Sequence, residues 1–244
     1  MVNDETYPQR WDAALESMRS AWREILADAD VAQGRATEQS LEAWESALER
    51  MSAEQEALVR AGDWVSGPAD LLSVIGRSRR ETYHCSIIAW LMDPTGRHLL
   101  GTRFLHELLA SCKRPIEVDE TVLRSATIAC EVSRPNSRAD LVVRAPGLTV
   151  VFEAKIDHDE RAHQCDDLFK DFRNEKGICF VFLTHDGRDP TSATGDAKEA
   201  FRTLGFGPLR KVLLEALVEA RRERQSAAFS TVETYLETLE VVFP

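Results

Sequence analysis

The chain has 244 residues, 43% of them hydrophobic and 29% charged, enough for one large globular domain or a domain with an appendage. No apolar run approaches the length of a bilayer span. The start, MVNDETYPQRWD, lacks the basic-then-apolar layout of a secretion signal, so neither a membrane nor a secreted protein is expected. The formal charge of −11 opposes nucleic-acid binding only in bulk: residues 1–60 hold 13 acids and 6 bases, whereas the remaining 184 hold 28 and 24, which leaves room for a basic groove.

Residues 5–28 predict an amphipathic helix, with Trp11, Leu15, Met18, Trp22 and Ile25 stepping by threes and fours. The polar stretch DADVAQGRA reads as a turn, and Thr37 as the N-cap of a second helix over residues 38–61. Its stripe is Leu41, Trp44, Leu48, Met51, Gln55 and Leu58, ended by Gly62. Two helices with matching stripes predict a helical hairpin, residues 1–66, that packs on its own core domain or serves as a dimerisation or partner-docking arm.

After the break at WVSGPAD, residues 67–244 read as a separate domain. A helix is expected from Ser78 to Met92 with Ile87, Ile88, Leu91 and Met92 inward, then a turn at Asp93-Pro94-Thr95-Gly96 and a helix over residues 101–112. The segments IEVDETVL, SATIACEVS, ADLVVRA and LTVVFEAK read as strands. A polar helix follows at about 159–173, then the strand ICFVFLTH (178–185) and two helices, LRKVLLEALVEARRER and STVETYLETLEVV. That order predicts an α/β domain with a mixed sheet. The five cysteines (Cys85, Cys112, Cys130, Cys165, Cys179) are scattered, with no C-x-x-C. They point to a reduced, cytoplasmic protein rather than a disulfide framework or structural zinc.

The stretch ADLVVRAPGLTVVFEAK carries the chemistry. Pro146-Gly147 between two apolar runs predicts a β-hairpin in which, with those two residues as the loop, Ala145 faces Leu148 and Asp140 falls opposite Glu153. L-Pro-Gly favours type I or II turns, so a bulge would shift this register by one. Lys155 shares the face of Glu153, two residues on. Two adjacent carboxylates repel unless a cation lies between them, and oxygen-only ligands suit Mg²⁺ or Mn²⁺. With a lysine beside them, they suit metal-assisted phosphodiester hydrolysis. Alone, the short pattern fits an edge-strand ion pair better. The context favours the catalytic reading: the acids end apolar strands, the hairpin aligns them and a polar helix follows.

These residues resemble the PD-(D/E)XK nuclease superfamily, specifically a bacterial family of such nucleases. The resemblance extends through ETYHCSIIAWLMDPTGRHLLGTRFLHELL, EVSRPNSRADLVV, FEAKIDHDERAHQCDDL, FVFLTHDGRDP and the helical tail, covering residues 67–244 in order. It implies a restriction-endonuclease-like mixed central sheet flanked by helices. The activity implied is Mg²⁺- or Mn²⁺-dependent cleavage of DNA, RNA not being excluded, in the bacterial cytoplasm for restriction, repair or defence. Asp140 and Glu153 resemble the metal ligands, with the Ala154 carbonyl as a third, and Lys155 the catalytic lysine. Glu81 matches a helix-borne acid that completes the metal site; as plain sequence it reads equally well as an acid at a helix N-terminus. Glu131 matches an accessory strand acid, or pairs with Arg138 or Arg134, the bases read as contacting nucleic acid. Gln164 resembles the glutamine of a Q-x-x-x-Y helix, although Leu168 stands in the Tyr position, and Ala139 replaces the Pro before Asp140.

A homodimer or a protein partner is expected through the N-terminal helices. The rival reading is a catalytically silent nucleic-acid-binding or scaffold protein on the same fold, against which the intact Asp140, Glu153 and Lys155 argue. His158 and His163 read as solvated, and His84 and His98 as hydrogen-bonded packing residues.

Overall fold

The structure is a computed structural model that describes residues 7–63, 67–68 and 70–244. Residues 5 and 6 of the expected first helix, much of the WVSGPAD break, and the side chains of Trp11 and Leu15 lie outside the described residues. The chain divides into two compact units, Met1–Ser66 and Gly67–Pro244.

In the first unit the expected hairpin is not formed. A single helix, α1 (Tyr7–Ala61), runs through the DADVAQGRA stretch and through Thr37. Its sequence contains no proline after Pro8, and one internal glycine, Gly34, costs only ~1 kcal/mol relative to alanine, too little to break a helix of this length. The helix stops at Gly62 (φ +78°), where Gly62 N–H donates to Val59 O and Asp63 N–H to Leu58 O, a glycine-terminated C-cap.

The second unit opens with α2 (Leu71–Val74), capped by Asp70, whose carboxylate accepts from Ser73 N–H at 3.0 Å. Helices α3 (Glu81–Met92) and α4 (Arg103–Ala110) follow as expected, joined by a turn in which the Asp93 carboxylate takes the Thr95 N–H. IEVDETVL forms no strand. Asp119 accepts from the N–H and hydroxyl of Thr121 and starts a one-turn helix, α5 (Glu120–Leu123). Strands β1 (Thr127–Ser133), β2 (Arg138–Ala145) and β3 (Leu148–Lys155) then make an antiparallel meander. Next come α6 (Gln164–Phe172), β4 (Ile178–Thr184), α7 (Gly195–Ala200), β5 (Phe201–Gly205), α8 (Phe206–Glu223) and α9 (Phe229–Val242).

The sheet order is β1-β2-β3-β4-β5, with β3–β4 and β4–β5 parallel. This mixed sheet flanked by helices is a restriction-endonuclease-like α/β fold. Side-chain alternation sorts the core into two layers. Leu141, Val143, Val150 and Phe152 pack with α3, α4, α8 and α9. Val142, Val151, Phe180 and Phe182 pack with Cys165, Leu168 and Phe172 of α6. Each fully buried apolar side chain contributes ~1.5–3 kcal/mol before the entropy of ordering it is subtracted.

His84 and His98 are fully buried and hydrogen-bonded, as expected of packing histidines. His84 Nε2 donates to Ser78 O at 2.7 Å and Nδ1 accepts from the Tyr235 hydroxyl at 2.9 Å. That arrangement suits the neutral ring, whose pKa burial lowers.

Candidate active site

The β2–β3 hairpin has the register expected from its turn: Ala145 pairs with Leu148 and Leu141 with Phe152. Asp140 and Glu153 are the next positions along the two strands. There the ladder gives way, and Asp140 Oδ2 accepts the Ala154 N–H at 2.8 Å. By strand alternation Glu153 and Lys155 share the face of Val151. Glu153 and Lys155 therefore lie on the α6 side of the sheet, and Asp140 reaches their corner from the point where the ladder is interrupted.

Glu153 is completely buried. Its Oε1 accepts from Lys155 Nζ at 2.8 Å and from the Gln164 side-chain amide, the first residue of α6. Its other oxygen, Oε2, is buried and receives no hydrogen bond among the described residues. Lys155 Nζ also donates to Ala154 O at 3.2 Å and lies 3.7 Å from Glu81 Oε2. Glu81 opens α3, and its Oε1 accepts the Ile156 N–H at 3.0 Å, so it is held against the residue that follows Lys155.

Three carboxylates thus face one ammonium in a poorly solvated corner. Burial, then repulsion from Asp140, pushes Glu153 up to about 8, with Lys155 opposing. Burial likewise raises Asp140. At Lys155 burial opposes the charge, but Glu153, then Glu81 and Asp140, outweigh it and hold the ammonium firmly protonated. Acids destabilised in this way, one with an unpartnered oxygen, are short of positive charge.

The donor set fits a hard divalent cation. Among the described residues no three His, Cys, Asp or Glu side chains are grouped to hold a metal by themselves. Asp140, Glu153 and the Ala154 carbonyl supply oxygens only, and Mg²⁺ commonly takes one or two carboxylates and completes its shell with water and phosphate oxygens.

A cleft of about 430 Å³ opens over this corner. Its walls include Asp140, Lys155, Glu81, Gln164, Glu131, Arg134 and Arg138, so every site residue read from the sequence lines it except Glu153 and Ala154, which lie buried. Arg138 pairs with Glu131 at 2.7 Å and is 61% exposed, leaving its guanidinium accessible. Arg134 is held by Glu175 at 2.6 Å and lies over the Phe172 ring. Glu131 sits in β1 with φ +56°, a conformation that strains a non-glycine residue, and its neighbours Cys130 and Val132 pair with Leu141 and Ala139, on either side of Asp140. His158 and His163 are largely exposed, as expected, with His158 3.5 Å from Glu81.

Sequence reasoning missed Arg161, Thr82, Asn136 and Ser137, which also line the cleft. Asn136 and Ser137 bind the Asp171 carboxylate, fastening the β1–β2 turn to α6. The polar helix begins at Gln164 rather than 159. Glu160 accepts from the N–H groups and hydroxyls of Thr191 and Ser192, and His163 takes φ +60°, so the chain loops before α6 starts.

Comparison with protein families gives a match over residues 69–237 to the PD-(D/E)XK nuclease superfamily. No curated protein and no solved structure matches the chain. With more than half its length matched, the chain belongs to the PD-(D/E)XK nuclease superfamily.

Proposed function

We propose that this protein is a divalent-metal-dependent deoxyribonuclease whose reaction centre is Asp140, Glu153 and Lys155. The observation that carries the reading is the buried Glu153 carboxylate, whose Oε2 has no partner among the described residues, beside Asp140 and Lys155 and beneath an arginine-bearing cleft. Asp140, Glu153 and the Ala154 carbonyl would hold Mg²⁺ or Mn²⁺, with Glu81 completing the set. The bound ion supplies charge stabilisation at the phosphate and lowers the pKa of water.

The chain's own groups supply the rest. Lys155, kept charged by its acidic neighbours, places a positive charge beside the attacking water and the phosphate oxygens, where charge develops in the transition state. Gln164 holds Glu153 in place. Arg138 and Arg161, at the mouth of the cleft, face the phosphate backbone. Among the described residues no helix is long and apolar enough to cross a membrane, and all five cysteines are unpaired. A reducing, cytoplasmic setting agrees with the latter, and DNA cleavage there would serve restriction, repair or defence.

The test is cleavage of supercoiled plasmid, linear duplex and single-stranded RNA by the full chain and by Lys155→Ala, with Mg²⁺, Mn²⁺ or EDTA. DNA cutting that needs metal and falls at least ~10³-fold in the variant, the scale on which a transition-state charge partner acts, is the expected result. Cutting that persists in EDTA or in Lys155→Ala contradicts the proposal.

A further inference from the structure

The described large apolar side chains of α1 are exposed and stand apart from the nuclease reading. A 55-residue helix in water keeps its large apolar side chains exposed unless something covers them. Ten such side chains on α1 are exposed, among them Trp22 at 59% and Trp44 at 70%. They form two stripes. One runs through Met18, Trp22 and Ile25, the other through Leu41, Trp44 and Leu48, each stepping by threes and fours.

The stripes match one another in reverse order, which is why the sequence suggests a hairpin. In a continuous helix they cannot meet, because Ile25 and Leu41 lie about 24 Å apart along the axis. We propose that α1 pairs with α1 of a second copy of this chain, antiparallel, about a two-fold axis near Gln33. Leu41 then faces the second copy's Ile25, Trp44 its Trp22 and Leu48 its Met18. Each contact occurs twice, as an isologous interface requires.

Charge selects the antiparallel arrangement. Residues 38–61 carry six acids against Arg50 and Arg60, whereas residues 7–28 carry four acids against three bases. A parallel pair sets the acid-rich halves side by side; the antiparallel pair sets each against the more nearly neutral half. In this register Arg19 and Glu45 flank the apolar seam opposite each other, and no like charges meet at the flanks. The area is of the right order: ten exposed apolar side chains at roughly 60–120 Å² each offer at most roughly 600–1,200 Å² per partner, against about 800 Å² for a stable specific interface.

The test uses the full chain. Light scattering behind size-exclusion chromatography is expected to give twice the chain mass, and Trp44→Glu to raise the dimer dissociation constant at least tenfold. The double variant Arg19→Cys/Glu45→Cys, treated with a short bis-maleimide, is expected to give a chain-to-chain link between residues 19 and 45 that neither single variant nor the wild type forms. Circular dichroism is the control that Trp44→Glu stays folded. A monomeric wild type overturns the proposal. So does a cross-link within one chain, which would mean a closed hairpin, or a dimer that survives Trp44→Glu or fails to join residues 19 and 45.

Discussion

Gln164 and Lys155 donate to the same oxygen of Glu153, Oε1, and among the described residues nothing donates to Oε2. One carboxylate edge is therefore occupied by the protein, while the other keeps its lone pairs. Gln164 is on this geometry a positioning residue. It steadies a buried acid without covering the edge that would hold a cation.

Gln164→Ala is expected to lower kcat/KM roughly 10- to 100-fold, the usual loss when a residue supporting a metal ligand is removed, with a change in stability below ~1.5 kcal/mol. Steady-state cleavage and a thermal melt check this. Gln164→Glu should do worse than Ala, because a further carboxylate then crowds Glu153.

Metal binding must displace the proton that burial and Asp140 keep on Glu153. Affinity for Mn²⁺ should therefore rise by roughly tenfold per pH unit from pH 6 towards 8, with proton release, and level off above. Titrations in buffers of different ionisation enthalpy measure the proton count. In EDTA the same group destabilises the fold as pH rises from its free value towards 8, since the folded state then holds a proton that the unfolded chain has lost.

Glu160 gives the opposite sign. Burial opposes its ionisation, but hydrogen bonds from Ser192, Thr191 and Arg188 outweigh burial and hold it at about 2. Its depressed pKa stabilises the fold above pH ~4.5, and that stabilisation disappears as pH falls towards 2. Glu160→Gln should cost ~1–2 kcal/mol at pH 7, discounted for the solvent-facing side of the network, and little at pH ~2. Thermal melts at the two pH values give the difference.

Gly177 packs against the hairpin turn: a Cβ there would stand 2.0 Å from Gly147 O, and its φ is +59°. Gly177→Ala should lower stability by ~1–3 kcal/mol, without abolishing metal binding in the folded fraction. Denaturant unfolding is the measurement.

What the sequence made legible was local. The β2–β3 register, the common face of Glu153 and Lys155 and the nearness of Asp140 to them follow from a Pro-Gly turn between two alternating runs, all within residues 139–155. Strand β5, FRTLG, escapes a sequence reading because five residues between helices carry no alternation long enough to recognise. IEVDETVL misleads because its β-branched residues suggest a strand, while Asp119 caps a helical turn. Gly34 suggests a break, yet a single glycine is a weak breaker inside so long a helix. The partners of Gln164, Glu160 and Asp171 are illegible for another reason: each depends on segments far apart in sequence meeting across the fold.

Calorimetric titration of Mn²⁺ into the full chain at pH 8, with Asp140→Ala and Lys155→Ala alongside, asks most directly whether Asp140 and Glu153 form a divalent-metal site served by Lys155. Saturable binding is expected of the wild type, kept in Lys155→Ala and lost in a folded Asp140→Ala. No binding by the wild type, or binding undiminished in Asp140→Ala, would mean that these carboxylates hold no metal.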